Sequence, residues 1–256
     1  MMIKEKKNQI EQKIYMKNEY AKMWTQMRKK EYQYDEYDQF LINLIEKEFS
    51  KKKLKILEIG CGDGNPFAKT LMSKCDYYGI DISEYLINLA KKNLGEKYFK
   101  ALDAETMQLK EKYDLIFCFH SFWYLQNYLK VITNMKNLLR PNGFLIFDTL
   151  NINNIDNYKE YEKILFESRG IGKFIRYVKN LVKIMLRRGY PKWSDAIHHT
   201  PNDIKKIIEL INQNNNFQST EFYGLVADEN SINLIDHKAL GNLKKFSKII
   251  FKCKKN

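Results

Sequence analysis

A glycine-rich loop that follows a short apolar segment is the part of this sequence that points most directly to chemistry. Residues 55–65 read KILEIGCGDGN, with Glu58 before glycines 60, 62 and 64. Glycine accepts positive φ angles and lets a ligand approach the backbone closely, so the loop suits a nucleotide-like ligand. A dinucleotide fingerprint would need glycine where the chain has Asn65, and no GxxxxGK[ST] phosphate loop occurs.

Acidic side chains follow the loop at the ends of successive apolar segments. Asp81 ends the second segment and Asp103 ends the third. An acid at the end of a second strand can accept hydrogen bonds from both hydroxyls of a ribose. Glu58 would repel a pyrophosphate, so the three acids together favour a cationic ligand without phosphate.

Histidines are the candidates for proton transfer. His120 follows the fourth strand-like segment, where it can act as a base or serve in packing. His198 and His199 are adjacent, so we expect at most one of them to face the site as a base. His237 lies in a polar stretch for which we predict no role.

Short β-rich segments alternate with helical ones from residue 51 to about residue 150. This alternation predicts βαβ units and a mostly parallel sheet. The predicted strands span residues 55–59, 77–82, 98–102, 115–119 and 144–148, and two more follow at 218–223 and 248–253. The predicted helices span residues 83–94, with Ser83 as the N-cap, 128–139, and 200–212.

Two further regions are predicted to be helical. Residues 1–50 form an N-terminal cap, because apolar residues recur there at three- and four-residue spacing. Residues 151–199 interrupt the alternation and are predicted to form a helical insertion that covers the acceptor. The α/β domain would then comprise residues 51–150 and 200–256.

Composition restricts the class of protein. The 256 residues are 44% hydrophobic and 14% aromatic, which is enough for a sizeable core and excludes a disordered chain. The four cysteines lack CxxC spacing, which disfavours a zinc site. No membrane span or secretory signal is predicted, so we expect a cytoplasmic protein. The formal net charge of +13 favours an anionic partner without choosing among nucleic acid, a phosphorylated substrate and a membrane surface.

The ordered set of motifs resembles the class I S-adenosylmethionine-dependent methyltransferases. The resemblance covers residues 54–150 and rests on the glycine loop, Asp81, Asp103, the segment YDLI at 113–116 and LRPNGFL at 139–145. It implies a Rossmann-like, seven-stranded, mostly parallel sheet with helices on both faces. It also implies S-adenosylmethionine as the cofactor, whose sulfonium and ammonium groups favour carboxylates and carbonyls.

The resemblance assigns roles to individual residues. Asp81 would bind the ribose, Asp103 the adenine, and Glu58 the methionine amino end. An N-terminal helix containing Tyr20 and Arg28 would cover the cofactor. From its charge alone, rather than from the resemblance, Arg28 is expected to pair with the cofactor carboxylate. The implied cofactor-binding residues are Glu58, Gly60, Cys61, Gly62, Asp81, Ile82, Asp103, Ala104, Phe119, Tyr20 and Arg28.

We expect the acceptor to be a small or carrier-linked metabolite that is methylated on oxygen, with a sugar or another hydroxylated metabolite as first choice. Residues 172–190 combine an apolar stripe with a basic face. This segment can be a lid helix that packs on the core with its basic face in solvent, or a lid that attracts a nucleotide- or phosphate-linked acceptor. It can also be a helix that lies on an anionic membrane, since some methyltransferases of quinone and lipid pathways carry insertions at a similar place.

Two other classes remain open. Nucleic-acid methylation is permitted by charge, but the fourth strand is followed by FHSF at 119–122 rather than by Asp/Asn-Pro-Pro-Tyr/Phe or Pro-Cys. Methylation of an RNA ribose or guanine ring would remain possible. The non-enzymatic alternative is a protein that binds the cofactor without catalysis.

Overall fold

Eight strands form a single sheet in the part of the chain that the computed structural model describes. The described residues are 21–22, 25, 36–48, 53–64, 66–125, 127–151, 204–213, 217–226, 231–235, 243 and 246–256. The strands are β1 Lys55–Ile59, β2 Asp76–Asp81, β3 Phe99–Ala101, β4 Tyr113–Cys118, β5 Leu139–Leu150, β6 Phe217–Val226, β7 Ser231–Ile235 and β8 Phe246–Lys255. Their order across the sheet is β3-β2-β1-β4-β5-β8-β6-β7.

Helices cover both faces of this sheet. The apolar residues Leu41, Ala68 and Ile87 pack from three helices onto one face, while Val131 and Ile207 pack from two helices onto the other. Burial of these side chains provides the main stabilisation of the layers. The helices are α1 Glu36–Glu46, α2 Phe67–Leu71, α3 Glu84–Leu94, α4 Tyr128–Leu138 and α5 Ile204–Asn212.

Strand directions determine where a ligand can bind. Strands β1 to β5 run parallel to one another, whereas β8 runs antiparallel to both β5 and β6. The carboxyl ends of β1 to β5 therefore meet the amino end of β8 at one end of the sheet. We call the side of the sheet formed by these strand ends the carboxyl edge. In sheets of this type ligands bind outside the carboxyl ends of the strands.

The predicted fold class is confirmed. Strand β1 has the predicted bounds, and Ser83 caps α3 by accepting a hydrogen bond on Oγ from the Leu86 N–H at 3.3 Å. The sheet has one strand more than the seven expected, because Ser231–Ile235 pairs with β6 at its outer side. This edge strand buries few side chains, and Leu234 is 67% exposed, so it lacks a strong hydrophobic signal.

The proposed division into a cap, a central domain and an insertion remains a prediction, since residues 152–200 lie outside the described ranges. Within those ranges, no helix combines the length and the apolar character that crossing a membrane would require.

Candidate active site

The glycine loop is fixed to the neighbouring strand by its own backbone. The N–H groups of Gly60 and Cys61 both donate to the carbonyl oxygen of Ile80, at 2.8 and 3.0 Å. Gly60 has a φ of +76°, and a Cβ added there would lie 2.1 Å from Oγ of Ser121. Position 60 therefore requires glycine for its backbone angle and for the close approach of Ser121.

Asp81 joins the loop to the start of α3. Its Oδ2 accepts a hydrogen bond from the Gly62 N–H at 3.0 Å, and its Oδ1 accepts one from the Ser83 N–H at 2.8 Å. Burial raises the pKa of Asp81, and the two backbone N–H groups oppose that rise. Each carboxylate oxygen keeps a second lone pair, so the side chain can still accept hydrogen bonds from a pair of hydroxyls.

Asp103 and Ala104 lie next to this end of β2. The Leu102 N–H donates to the Asp81 carbonyl at 2.8 Å, which places the following Asp103 beside the end of the neighbouring strand. Oδ1 of Asp103 accepts a hydrogen bond from the Glu105 N–H at 2.9 Å, and Ala104 is buried. Ile82 directly follows Asp81 and is partly exposed.

Glu58 is buried below the loop. Its Oε2 accepts a hydrogen bond from the Tyr77 hydroxyl at 2.5 Å, and only 3% of the residue is exposed. Burial raises the pKa of Tyr77, and the Glu58 carboxylate raises it further. The pKa of the Cys61 thiol is likewise raised by burial and by the nearby carboxylates of Asp81 and Glu58.

The chemistry of this edge fits S-adenosylmethionine. No lysine or arginine occurs in residues 56–64, which include the glycine loop, in residues 81–90, which run from the end of β2 into α3, or in residues 101–109, which follow from the end of β3. The carboxylates present would repel a ligand with phosphates, and these segments hold no cation to offset that repulsion, whereas a sulfonium and an ammonium group are stabilised by the same carboxylates. Among the described residues, no group of three or more His, Cys, Asp or Glu side chains is placed to hold a metal ion.

A second group of side chains surrounds His120 at the ends of β4 and β5. The His120 N–H donates to Oδ1 of Asp148 at 2.8 Å, and the His120 Nε2 lies 2.8 Å from Oδ1 of Asp38. The Tyr37 hydroxyl donates to Oδ2 of Asp148 at 2.9 Å. Both carboxylate side chains are at most 1% exposed, while the His120 side chain is 32% exposed.

Aromatic rings and one lysine complete this group. The His120 ring stacks on Phe67 at 6.0 Å and meets the edges of Tyr37 and Trp123 at 5.6 and 6.1 Å. Nζ of Lys248 lies 4.3 Å from the centre of the Tyr37 ring and 5.6 Å from that of Trp123. We call Tyr37, Asp38, His120, Trp123, Asp148 and Lys248 the His120 cluster.

Ser121 connects the glycine loop to the His120 cluster. Its hydroxyl lies 3.1 Å from the carbonyl oxygen of Ile59 and 3.2 Å from that of Phe119, so it can donate to either. Phe119 itself is buried between the rings of Phe67 and Phe117. The carboxyl ends of β1 and β4 are thereby held together.

The chain matches the family model described as "Methyltransferase domain" over residues 24–194. It belongs to this methyltransferase family. The predicted enzyme class, a class I S-adenosylmethionine-dependent methyltransferase, is confirmed, and so is the predicted cofactor.

Curated relatives of this methyltransferase match over part of their length. A malonyl-[acyl-carrier protein] O-methyltransferase of Calditerrivibrio nitroreducens is 24% identical over 68% of this chain and 69% of its own. Another enzyme of that name, from Ilyobacter polytropus, is 31% identical over 59% of this chain and 60% of its own. The chain thus spans less than two thirds of the second relative.

Solved structures share the fold of this methyltransferase. A plantazolicin methyltransferase has a TM-score of 0.60 and 16% identity, with all of both chains covered. A magnesium protoporphyrin IX methyltransferase from Synechocystis PCC 6803 has a TM-score of 0.56 and 13% identity, with 95% of each chain covered.

Most of the candidate residues of this methyltransferase meet at the carboxyl edge, but four lie outside the described residues. Those four are Tyr20, Arg28, His198 and His199, and their roles remain predictions. The residues brought together are Glu58, Gly60, Cys61, Gly62, Asp81, Ile82, Asp103, Ala104, Phe119 and His120.

Sequence reasoning missed five members of the His120 cluster and also Ser121. Asp148 could have been found, because it ends a predicted strand just as Asp81 and Asp103 do. Asp38 lies on the apolar stripe of α1, where an acid is unusual. We find no sequence signal for Tyr37, Trp123, Ser121 or Lys248.

Proposed function

We propose that this methyltransferase transfers a methyl group to a carboxylate oxygen of a small acyl group linked to a carrier. The choice of oxygen as the acceptor atom rests on the burial and the hydrogen bonds of the two acids in the His120 cluster. Asp148 accepts hydrogen bonds from the Tyr37 hydroxyl and the His120 N–H, and Asp38 is within hydrogen-bond distance of the His120 ring.

These contacts disfavour an amine acceptor. A cationic or hydrogen-bonding amine would be oriented by carboxylates or carbonyls that it can reach, and the side chains of both acids here are at most 1% exposed, so an acceptor in solvent does not contact their oxygens. The members of the cluster that are only partly buried are instead His120 and Lys248, whose nitrogen atoms suit an acceptor that carries oxygen atoms.

The curated relatives support the choice of a carboxylate, because each is named a malonyl-[acyl-carrier protein] O-methyltransferase. A malonyl group on a carrier has one free carboxylate. A carboxylate is ionised at neutral pH and requires no base. When bound, S-adenosylmethionine supplies an electrophilic methyl group on its sulfonium. The protein would hold the acceptor oxygen in line and exclude water, and His120 would position α1 rather than carry a proton.

A second candidate is the hydroxylated metabolite expected from the sequence, including a sugar. One contact favours it: if His120 donates from Nε2 to Asp38, its Nδ1 remains an acceptor, which is the arrangement of an oriented general base. None of the relatives reported above supports a sugar in particular. A cytoplasmic location is part of the same proposal.

A panel of acceptors tests the proposal, with formation of S-adenosylhomocysteine as the readout. Malonyl-acyl carrier protein is compared with acetyl-acyl carrier protein, which presents the same carrier without a free carboxylate. Nucleotide-sugars and RNA represent the other candidates. We expect turnover with the malonyl form only. Equal turnover with the acetyl form, or turnover with a nucleotide-sugar alone, would contradict the proposal.

A further inference from the structure

We infer that Lys248 binds the carboxylate of the acceptor, an inference that rests on the proposed function. The position of this residue is set by strand register. Lys248 stands opposite Leu150 of β5 and Leu225 of β6, near the start of β8. Because β8 begins at the carboxyl edge, its first residues lie where the parallel strands end, which brings Lys248 to the other members of the His120 cluster.

The surroundings of Lys248 differ from those of the next lysine on the same face. Lys252 forms ion pairs with Glu48 at 2.6 Å and with Glu221 at 3.5 Å. Lys248 has no carboxylate partner in the part of the chain that the structure describes, and its ammonium group lies over the rings of Tyr37 and Trp123. Aromatic faces hold a cation in place without neutralising its charge.

The two acids of the His120 cluster explain why a positive charge is needed at Lys248. Asp38 and Asp148 are buried, so their negative charges act through a medium that screens them weakly. An anionic acceptor that approaches His120 would be repelled by both acids. Lys248 is placed to offset this repulsion, and its ammonium hydrogens can donate to a carboxylate in a charge-assisted hydrogen bond.

The geometry also points to one orientation of the acceptor carboxylate, between Lys248 and His120. The Lys248 ammonium and the His120 ring contact the same two aromatic side chains, Tyr37 and Trp123. A carboxylate held by Lys248 would therefore lie beside His120 at the ends of β4 and β5. One carboxylate oxygen would accept from Lys248 and leave the other as the nucleophile.

The test compares Lys248→Met with Lys254→Met. Lys254 is a matched control, because it lies on the same strand and face with its Nζ 5.9 Å from the Phe144 ring, at the other end of β8. We expect Lys248→Met to raise the KM for malonyl-acyl carrier protein about 10- to 100-fold, the effect of losing a charged hydrogen bond. Lys254→Met should leave KM unchanged, and Lys248→Arg should restore part of the loss.

Two further readouts distinguish an effect of the Lys248 charge on acceptor binding from an effect of its packing. The KM of the wild type should rise with ionic strength, and that of Lys248→Met should depend on it less. The affinity for S-adenosylhomocysteine should be the same in both. Should Lys248→Met fold poorly, Lys248→Gln provides the same comparison with a polar side chain.

The outcomes distinguish this inference from the proposed function. A wild type that methylates malonyl-acyl carrier protein, together with a Lys248→Met variant of equal KM, would overturn the role of Lys248 and leave the function standing. A wild type that does not methylate the malonyl carrier would overturn both.

Discussion

Nε2 of His120 lies 2.8 Å from Oδ1 of Asp38, a residue 82 positions earlier in the chain. This contact joins α1 to the end of β4, and the His120 N–H joins the same point to Asp148 at the end of β5. His120 also has a φ of +56°, which is uncommon for a residue other than glycine. Three elements therefore meet at one residue held in a constrained conformation, a feature typical of functional sites.

Replacing His120 with asparagine tests whether its ring carries a proton. Asparagine tolerates a positive φ, and the backbone N–H that donates to Asp148 would remain. With malonyl-acyl carrier protein as acceptor we expect kcat to fall less than about tenfold, whereas loss of a general base costs about 10²- to 10⁴-fold. The measurement is kcat from pH 6 to pH 9.

Asp38→Asn is the matched variant for this experiment, since it keeps the shape of the side chain and removes its charge. If His120 only positions α1, both variants should retain the shape of the wild-type pH profile. A loss of more than about 100-fold in His120→Asn, with an altered pH profile, would instead identify His120 as the base of a hydroxyl-directed enzyme.

Asp81→Ala should weaken cofactor binding. The variant removes the carboxylate that accepts hydrogen bonds from the N–H groups of Gly62 and Ser83, and with it the predicted acceptor for the ribose hydroxyls. Hydrogen bonds to a charged group contribute about 1.5–3 kcal/mol each, so we expect the dissociation constant of S-adenosylhomocysteine to rise at least about tenfold in calorimetric titration. Asp76→Ala, at the exposed start of the same strand, should bind as the wild type does. Equal affinities for the two variants would contradict the role of Asp81.

The parallel part of the sheet could be predicted because its signals are local. The apolar run of β1, the Ser83 cap and the alternation of strands with helices each depend on neighbouring residues. The acids at the ends of β2 and β3 could be predicted for the same reason. Asp81 is the last residue of β2 and Asp103 lies two residues after β3, and parallel strands bring their carboxyl ends together.

Gly60→Ala should destabilise the fold. A Cβ at this position would clash with Oγ of Ser121 at 2.1 Å, in a backbone conformation that alanine disfavours by about 1–2 kcal/mol. Overpacking adds about 1–3 kcal/mol. The free energy of unfolding, measured with denaturant, should therefore fall by about 2–5 kcal/mol.

The double variant Gly60→Ala/Ser121→Gly separates these two contributions. Removing the Ser121 side chain relieves the clash but not the backbone strain, so it should recover only part of the lost stability. Full stability in Gly60→Ala alone would show that the loop does not have the described geometry.

The four cysteines should be unreactive in the folded protein. All are buried, and burial raises the pKa of every one, to about 12 for Cys75 and Cys253. Because the thiolate is the reactive form, a thiol reagent at pH 8 should modify them slowly in the native state and all four after denaturation. A thiol that reacts at once in the native protein would contradict its buried position.

The His120 cluster could not be predicted in full because it depends on tertiary contacts. Tyr37 and Asp38 come from α1, and His120 and Trp123 follow β4. Asp148 lies two residues before the end of β5, and Lys248 two residues after the start of β8. Only the register of β8 against β5 brings Lys248 to this edge. A lysine in a chain with 44 basic residues gives no local indication of such a role.

The most direct test of the central claim is the chemical form of the transferred methyl group. Methyl-labelled S-adenosylmethionine is incubated with the wild-type enzyme and malonyl-acyl carrier protein, and the labelled product is then treated with mild alkali. A methyl ester is hydrolysed under these conditions, so we expect the label to be released as methanol. Label that stays on the product would indicate methylation at another atom and would contradict a carboxylate acceptor.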